Sequence, residues 1–265
     1  ASTIKERNNA FFFEYIRPTP IGQLMAGLRY EHVNSDYYDE GVYSPAHSRT
    51  YSQWFPSLTF ATRIKEVGLQ LSYSAKTSRP SYNQLGTNVA YMNRFTRQSG
   101  NPTLKPETLH NITLVSSWNW FTFVANYTQT HNKIMYWNEQ ESTDENITNL
   151  RYRNFKRFPA LTLSLTAAPR MGVWSPQLTL FCQKQWFDIE RLGSKLDLSK
   201  PVWGIQWDNS FEFRHDWTAE ANLKLTSKGM TENAKLTRNN CTFDFSVRKA
   251  FLNNRLSVTV GVNDL

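Results

Sequence analysis

Cysteine, glycine and proline are scarce in this sequence of 265 residues, which contains 2, 11 and 11 of them respectively. The two cysteines, Cys182 and Cys241, cannot build the framework of a disulfide-rich domain, and we interpret them as free thiols on strand faces. The low glycine and proline contents exclude collagen-like and linker-like chains.

Long apolar segments are also lacking. No stretch approaches the roughly 18 consecutive apolar residues of a membrane-spanning helix. The segment Ala1–Asn9 is polar and charged, so it has no apolar centre of the kind that a signal peptide needs. We therefore expect the sequence to be a fragment of a longer protein, cut off at both ends.

The motifs of common catalytic and cofactor sites are missing as well. The sequence contains no G-x-x-x-x-G-K, H-E-x-x-H, C-x-x-C or G-x-S-x-G segment. Its five histidines are dispersed, and none stands at metal-ligand spacing from another histidine or a cysteine. We interpret the acidic segment Glu139–Glu145 as a solvated loop rather than a calcium site. The sequence thus predicts no catalytic residue, no cofactor and no metal, and a protein that is not an enzyme.

Aromatic residues, in contrast, are abundant at 14% of the chain, which excludes a disordered protein. The mean hydropathy is −0.56 although 40% of the residues are apolar. This combination suits a membrane barrel with one apolar and one wet face, and it also suits a soluble β-sandwich. The net charge of +8 is scattered along the chain, which argues against a nucleic-acid partner and is compatible with anionic lipid headgroups.

Apolar and polar residues alternate with period two over much of the chain, which predicts β-strands. In residues 218–226, for example, Ala219, Ala221, Leu223 and Leu225 share one face, and polar residues occupy the other. Similar patterns predict twelve strands, with approximate spans of 8–17, 22–34, 50–62, 67–79, 107–117, 119–138, 147–168, 173–190, 197–214, 216–229, 236–250 and 255–265.

The predicted connections alternate between short and long. Short turns are predicted near residues 18–21, 64–66, 117–118, 169–172, 215–216 and 252–254, and the connections between them are longer. Outer-membrane barrels have short periplasmic turns and longer external loops, whereas a soluble sandwich has no reason to sort its loops in this way. Most predicted strands also reach the ~9–11 residues that cross a bilayer. The pattern therefore predicts an all-β, antiparallel transmembrane β-barrel that is only partly present.

Two further sets of side chains fit a membrane wall. Aromatic residues are predicted at strand ends, as in the girdles of such barrels: Trp118, Trp120, Trp174, Trp217 and Phe251 near short turns, and Tyr51, Trp54, Tyr136, Trp137, Trp186 and Trp203 near long loops. A basic cluster follows in the seventh predicted strand, formed by Arg151, Arg153, Lys156 and Arg157. We hypothesise that this cluster meets lipopolysaccharide phosphates above the hydrocarbon layer. The alternative is a bulge that turns these side chains inward.

The segment Ser72–Glu107 carries a longer motif, in which Arg79-Pro80 ends a strand and Gly100-Asn101-Pro102-Thr103-Leu104-Lys105-Pro106-Glu107 opens the next one. This arrangement resembles a signature of TonB-dependent outer-membrane receptors, specifically of their outer-membrane β-barrel family. Physical reasoning gives the motif a structural role, because Pro80 cannot donate to a strand ladder and Pro102 and Pro106 stiffen the return. Gly100 and Asn101 tolerate turn conformations. Contact of this loop with a ligand is the alternative.

The resemblance implies the barrel wall of a receptor that takes up a solute across the outer membrane of a Gram-negative bacterium. It implies about twelve strands of a barrel of about twenty-two, with residues 1–265 forming one partial barrel domain without a plug. Outer-membrane lipid and lipopolysaccharide are the expected partners, and a plug domain and TonB are expected in the full-length protein. The alternatives are a self-contained twelve-stranded porin or outer-membrane enzyme, and a soluble carbohydrate-binding β-sandwich. The solute stays open.

Overall fold

The structure, a computed structural model, describes residues 2–140, 147–191 and 194–264. These residues form nineteen strands and one short helix. The strands are β1 (Ser2–Thr19), β2 (Gly22–Asp39), β3 (Val42–Tyr43), β4 (Arg49–Ile64), β5 (Val67–Ser78), β6 (Val89–Asn93), β7 (Thr96–Ser99), β8 (Glu107–Trp118), β9 (Phe121–Gln140), β10 (Thr148–Ala167), β11 (Trp174–Gln185), β12 (Asp188–Arg191), β13 (Ser194–Asp197), β14 (Val202–Phe213), β15 (Trp217–Thr226), β16 (Gly229–Thr231), β17 (Ala234–Leu236), β18 (Asn240–Phe251) and β19 (Leu256–Val262); the helix is α1 (Tyr82–Leu85).

Twelve of the strands follow one another in a single antiparallel sheet. Their order is β1-β2-β4-β5-β8-β9-β10-β11-β14-β15-β18-β19, so each strand pairs with the next long strand along the chain. Within the described residues this order begins at β1 and ends at β19 without closing. The all-β fold class and the twelve predicted strands are thus confirmed, and the open order agrees with a partial barrel.

The predicted alternation of short and long connections is confirmed too. Short turns join β1 to β2, β4 to β5, β8 to β9, β10 to β11, β14 to β15 and β18 to β19. Several of them contain residues with positive φ, among them Lys65 (54°), Asn119 (51°) and His215 (64°). One predicted turn was wrong by two residues: Trp118 still belongs to β8, and the chain turns at Asn119.

The longer connections contain structure that the alternation did not predict. The hairpins β12–β13 and β16–β17 occupy segments that were assigned to loops and strand ends, so the predicted spans 173–190, 197–214 and 216–229 were too long. The connection between β5 and β8 holds α1 and the hairpin β6–β7. In that hairpin, β7 also pairs in parallel with Thr148–Arg151 of β10.

The described chain divides into two compact units. The first comprises Ala1–Phe60, Ser72–Ile112 and Thr128–Pro159, and its buried apolar residues include Val33, Tyr37, Leu104 and Met135. The second comprises Ala61–Leu71, Thr113–Tyr127 and Ala160–Leu265, and its buried residues include Phe187, Leu198, Val202 and Met230.

The strands of the second unit have one apolar and one polar face. The register pairs Trp207 with Leu223 and Leu223 with Phe243, which places these three side chains on the same face. In the same registers Asp208, Asn222 and Asp244 are opposite one another and share the other face. Since side chains alternate along a strand, this face is mainly apolar along β14, β15 and β18, with Asn209 and Lys249 as its polar members. Trp207 is 42% exposed, so this face is only partly covered within the described residues.

Aromatic side chains lie at the short-turn end of this unit, as predicted. Trp118 and Phe121 stack with 5.9 Å between ring centroids. Lys249 Nζ lies 5.6 Å from the Trp217 ring centroid and donates a hydrogen bond to the carbonyl oxygen of His215. A lysine on an apolar face near a turn thus directs its charge towards the strand end, where the interface with water would lie.

Candidate functional site

The motif residues that the sequence analysis singled out lie in the first unit, in a segment we call the motif loop (residues 79–107). Strand β5 ends at Ser78, directly before Arg79-Pro80, and β8 begins at Glu107. The prolines of the motif loop stand outside the paired strands, where the missing N–H group leaves no gap in a strand ladder. Within the loop, Ser81 caps α1: its hydroxyl accepts from Gln84 N, and Gln84 Oε1 accepts from Ser81 N.

Arg79 binds the motif loop to two distant strands. Its Nη1 donates to Glu6 Oε1 of β1 at 2.8 Å, and its Nη2 donates to Glu31 Oε2 of β2 at 2.7 Å. Glu31 also accepts from Arg29 at 2.7 Å, so one largely buried carboxylate is shared by two guanidinium groups. A guanidinium with two carboxylate partners is held in a fixed orientation, because its donors form a rigid planar fork.

Gly100 and Asn101 hold the loop against α1. A Cβ atom added to Gly100 would lie 2.1 Å from the carbonyl oxygen of Gly86, so only glycine allows this approach of two backbone segments. Asn101 N donates to Gln84 O at 2.6 Å. The Asn101 side chain donates to Tyr152 O at 3.0 Å and accepts from Thr103 N at 3.0 Å. It thereby stabilises the turn that leads into Pro102.

The last part of the motif loop is bound to β9 and β10. Asn154 accepts from Lys105 N at 2.7 Å and donates to Lys105 O at 2.9 Å, a pairing that imitates a strand ladder. Glu107 Oε1 accepts from Ile134 N at 2.5 Å and lies 3.8 Å from Lys133 Nζ. Leu104, between these contacts, is 2% exposed. The carboxylate and the apolar anchor together fix where β8 begins.

Five of the eight motif residues line one small cavity of about 40 Å³: Arg79, Pro80, Pro102, Leu104 and Pro106. The sequence did not indicate their neighbours there, which include Tyr37 and Tyr51. Two buried atoms of lining residues, Tyr37 Oη and Arg79 Nε, have no hydrogen-bond partner among the described residues. A polar cavity of this size accommodates a few waters or one small polar group. Gly100, Asn101 and Glu107 do not line it.

A second and larger cavity, of about 500 Å³, lies in the second unit. It is lined on β15 and β18 by Lys224, Thr226, Asn240 and Thr242, and between these strands by Ser227 and by Lys235, Leu236, Thr237 and Arg238. Lys224 pairs with Thr242 and Thr226 with Asn240, so these side chains belong to the polar face of the sheet. The sequence analysis did not single out this group, because its members are spread over 19 positions and belong to no motif.

The described residues hold no group of three or more His, Cys, Asp or Glu side chains that could bind a metal ion. The acidic segment considered for calcium lies for the most part outside the described residues. No helix among the described residues has the length and apolar character needed to cross a membrane.

The family model of the outer membrane protein beta-barrel family matches residues 2–265. This chain belongs to that family. The fold, the outer-membrane location and the family that the motif suggested are thereby confirmed, and the soluble β-sandwich is excluded. None of the curated proteins compared with the chain matches it.

Solved structures share the fold of this family member at low identity. The siderophore receptor PirA from Pseudomonas aeruginosa is 15% identical with a TM-score of 0.60, covering 100% of this chain and 54% of that one. The copper transporter OprC is 13% identical with a TM-score of 0.69, covering 99% and 42%. The FrpB iron transporter from Neisseria meningitidis (F3-3 variant) is 14% identical with a TM-score of 0.68, covering 98% and 40%. The chain thus spans about half the length of these structures or less.

Proposed function

We propose that this chain is part of the barrel wall of a TonB-dependent receptor that carries a solute across the outer membrane, and that the protein is a binder and conduit rather than an enzyme. The observation that carries the proposal is the division of the sheet into an apolar face around Trp207 and Leu223 and a polar face around Asp208 and Asn222. If the apolar face contacts lipid and the polar face contacts a water-filled lumen, each face meets surroundings of matching polarity. The similar structures, which are named as receptors and transporters, support the same proposal.

A plug domain, TonB and further strands to complete a barrel of about twenty-two are the partners expected in the full-length protein. Residues 1–265 then act as one partial barrel domain. Solute uptake by cells expressing the full reading frame should be abolished by a protonophore and by loss of TonB, because the proposed transport is energised. Uptake that persists under both conditions would instead indicate passive diffusion through a self-contained porin.

The motif loop has a structural role in this proposal. Its contacts run to β1, β2, β9 and β10, so it holds the long-loop ends of several wall strands in register. Three motif residues make these connections: Arg79 through its ion pairs, Asn101 through its turn and Glu107 through its contact with β9. Direct contact with a solute would use the small cavity beside Arg79 and Tyr37.

We also propose that the basic cluster on β10 meets lipopolysaccharide phosphates. Lys156 and Arg157 are exposed, and Arg157 Nε donates to Gln129 Oε1 at 3.0 Å. The Arg153 guanidinium lies 5.8 Å from the Phe155 ring centroid. Replacing Arg151, Arg153, Lys156 and Arg157 with Gln should lower the lipopolysaccharide that copurifies with the protein, and unchanged retention would contradict this partner.

A further inference from the structure

The cavity of about 500 Å³ beside β15 and β18 is lined by charges of one sign. Its lining residues include three cations, Lys224, Lys235 and Arg238, and no carboxylate. In the part of the chain that the structure describes, none of these three side chains has an ion pair. Three like charges around one cavity repel one another, and an anion placed between them would relieve that repulsion.

The remaining lining residues offer hydrogen-bonding groups to the same space. Thr226, Thr237, Thr242 and Asn240 line the cavity, and their side chains make no hydrogen bond with another described residue. Ser227 differs, because its hydroxyl accepts from Trp203 N at 2.9 Å and is thereby fixed in place. Hydroxyl and amide groups beside cations are the set that binds the oxygens of phosphate or carboxylate groups.

The position of the cavity restricts where the anion can come from. Lys224 lies between Leu223 and Leu225 in sequence and faces away from them, onto the face shared with Asn222 and Asp208. In the proposed receptor this is the lumen side, opposite the lipid. The cavity is also at the long-loop end of β15 and β18, where Lys235 and Leu236 of β17 line it. A dissolved anion can therefore reach it, and a lipid headgroup in the bilayer cannot.

We propose that this cavity is a binding site for the oxyanion groups of a polar solute, phosphate or carboxylate, and that it gives the receptor a preference for anionic cargo. The proposal rests on the proposed function for its cargo role, and the binding itself stands without it. A volume of about 500 Å³ lies within the range of roughly 300–1,000 Å³ that is usual for small-molecule sites.

The test compares two probes that share one ring, myo-inositol hexakisphosphate with six phosphate groups and myo-inositol with none, on the protein purified from its full reading frame. Wild-type protein should bind the phosphorylated probe, with an affinity that falls as salt rises, and should not bind the neutral one. The triple variant K224Q/K235Q/R238Q should lose between about threefold and a hundredfold in affinity, because each exposed ionic contact contributes a factor of roughly 1.4 to 5.

A matched control removes the same amount of charge at the other end of the sheet. The variant R170Q/R214Q/R255Q lies at short turns and should bind the phosphorylated probe as the wild type does. Three results would each contradict the proposed site: equal binding by wild type and K224Q/K235Q/R238Q, an equal loss of affinity in both triple variants, or no binding by the wild type. Copurifying lipopolysaccharide should be the same in wild type and K224Q/K235Q/R238Q; its loss in that variant would assign the site to lipid.

Binding is measured on purified protein, so it does not depend on energised transport. If the protein binds the phosphorylated probe but its uptake is independent of TonB, the oxyanion site is supported and only the receptor proposal is contradicted. If uptake depends on TonB but the protein does not bind the probe, the receptor proposal is supported and the oxyanion site is contradicted.

Discussion

Arg79 and Glu31 form an ion pair with 2.7 Å between Nη2 and Oε2, across 48 positions of sequence. This pair joins the first residue of the motif loop to β2, and the second arm of Arg79 reaches Glu6 of β1. The loop is therefore attached to strands that precede it by a whole hairpin.

Replacing Arg79 with Ala should destabilise the folded protein by about 2 kcal/mol, since hydrogen bonds to charged groups contribute roughly that much. Glu6 loses its Arg79 partner, and Glu31 keeps only Arg29. Urea unfolding in detergent measures this change. Arg94→Ala is the matched control, because Arg94 lies in the same loop and its guanidinium contacts the Phe95 ring at 4.9 Å. Equal losses in both variants would contradict a specific role for Arg79.

Replacing Gly100 with Ala should displace α1 and expose the motif loop to protease. The added Cβ would lie 2.1 Å from Gly86 O and 2.9 Å from Gln84 O, both of them backbone atoms that cannot rotate away. We expect a loss of about 2 kcal/mol, typical of overpacking, and cleavage within residues 79–107 under limited proteolysis. Gly86→Ala is the control, because its Cβ would meet no atom closer than 3.7 Å. Resistance of the Gly100 variant would refute the close approach.

Gln185 joins two hairpins of the second unit. It is 1% exposed, its Nε2 donates to Leu198 O at 2.5 Å and Glu232 O at 2.8 Å, and its Oε1 accepts from Glu232 N at 2.8 Å. Gln185→Leu should cost about 3 kcal/mol, because it removes three hydrogen bonds to backbone groups of Leu198 and Glu232, each of which contributes about 1 kcal/mol. Hydrogen exchange at Glu232 N should accelerate. The control is Gln183→Leu, two residues earlier on the same face, which should change neither the free energy of unfolding nor the exchange at Glu232 N. An equal change in this control would contradict the role of Gln185.

Asp197 ends β13 and gives that hairpin a dependence on pH. Ser199 lowers the pKa of the Asp197 carboxyl below its ordinary value of 3.8, through its nearby side chain and through its backbone N–H, which donates to Asp197 Oδ1 at 2.9 Å. A lowered pKa in the folded state means that the stabilising contribution is present above about 3.8 and is lost as pH falls through the folded-state pKa. A carbon-detected NMR titration should show this depression, and Ser199→Ala should return the pKa towards 3.8. An unchanged pKa in the variant would contradict the assignment to Ser199.

Period-two alternation was sufficient to predict the wall of this protein, because the strand backbone itself imposes it. The pattern in residues 218–226 placed Leu223 and Asn222 on opposite faces, as the register of β15 has them. The turn before β9 was misplaced: it was predicted at residues 117–118, whereas Trp118 is the last residue of β8 and the chain turns at Asn119. Alternation predicts which face of a strand each side chain occupies, but it does not predict at which residue the strand ends.

The candidate sites were less predictable. The helix α1 was missed, although Ser81 and Gln84 have the spacing of a capping box, a signal that could have identified it. The partners of Arg79 and Gln185 carry no local signal, because Glu6 and Glu232 lie 73 and 47 positions away in sequence. The cationic cavity likewise exists only because the register brings Lys224 and Thr242 together.

The assignment of the two faces is the central claim, and a pair of arginine substitutions at adjacent positions tests it. Leu223→Arg puts a charge on the face assigned to lipid, and Asn222→Arg puts the same charge on the face assigned to the lumen. Folding free energies in lipid vesicles should show a loss of about 2–4 kcal/mol for Leu223→Arg and little change for Asn222→Arg. Equal effects of the two substitutions, or a larger loss at Asn222, would contradict the membrane wall described here.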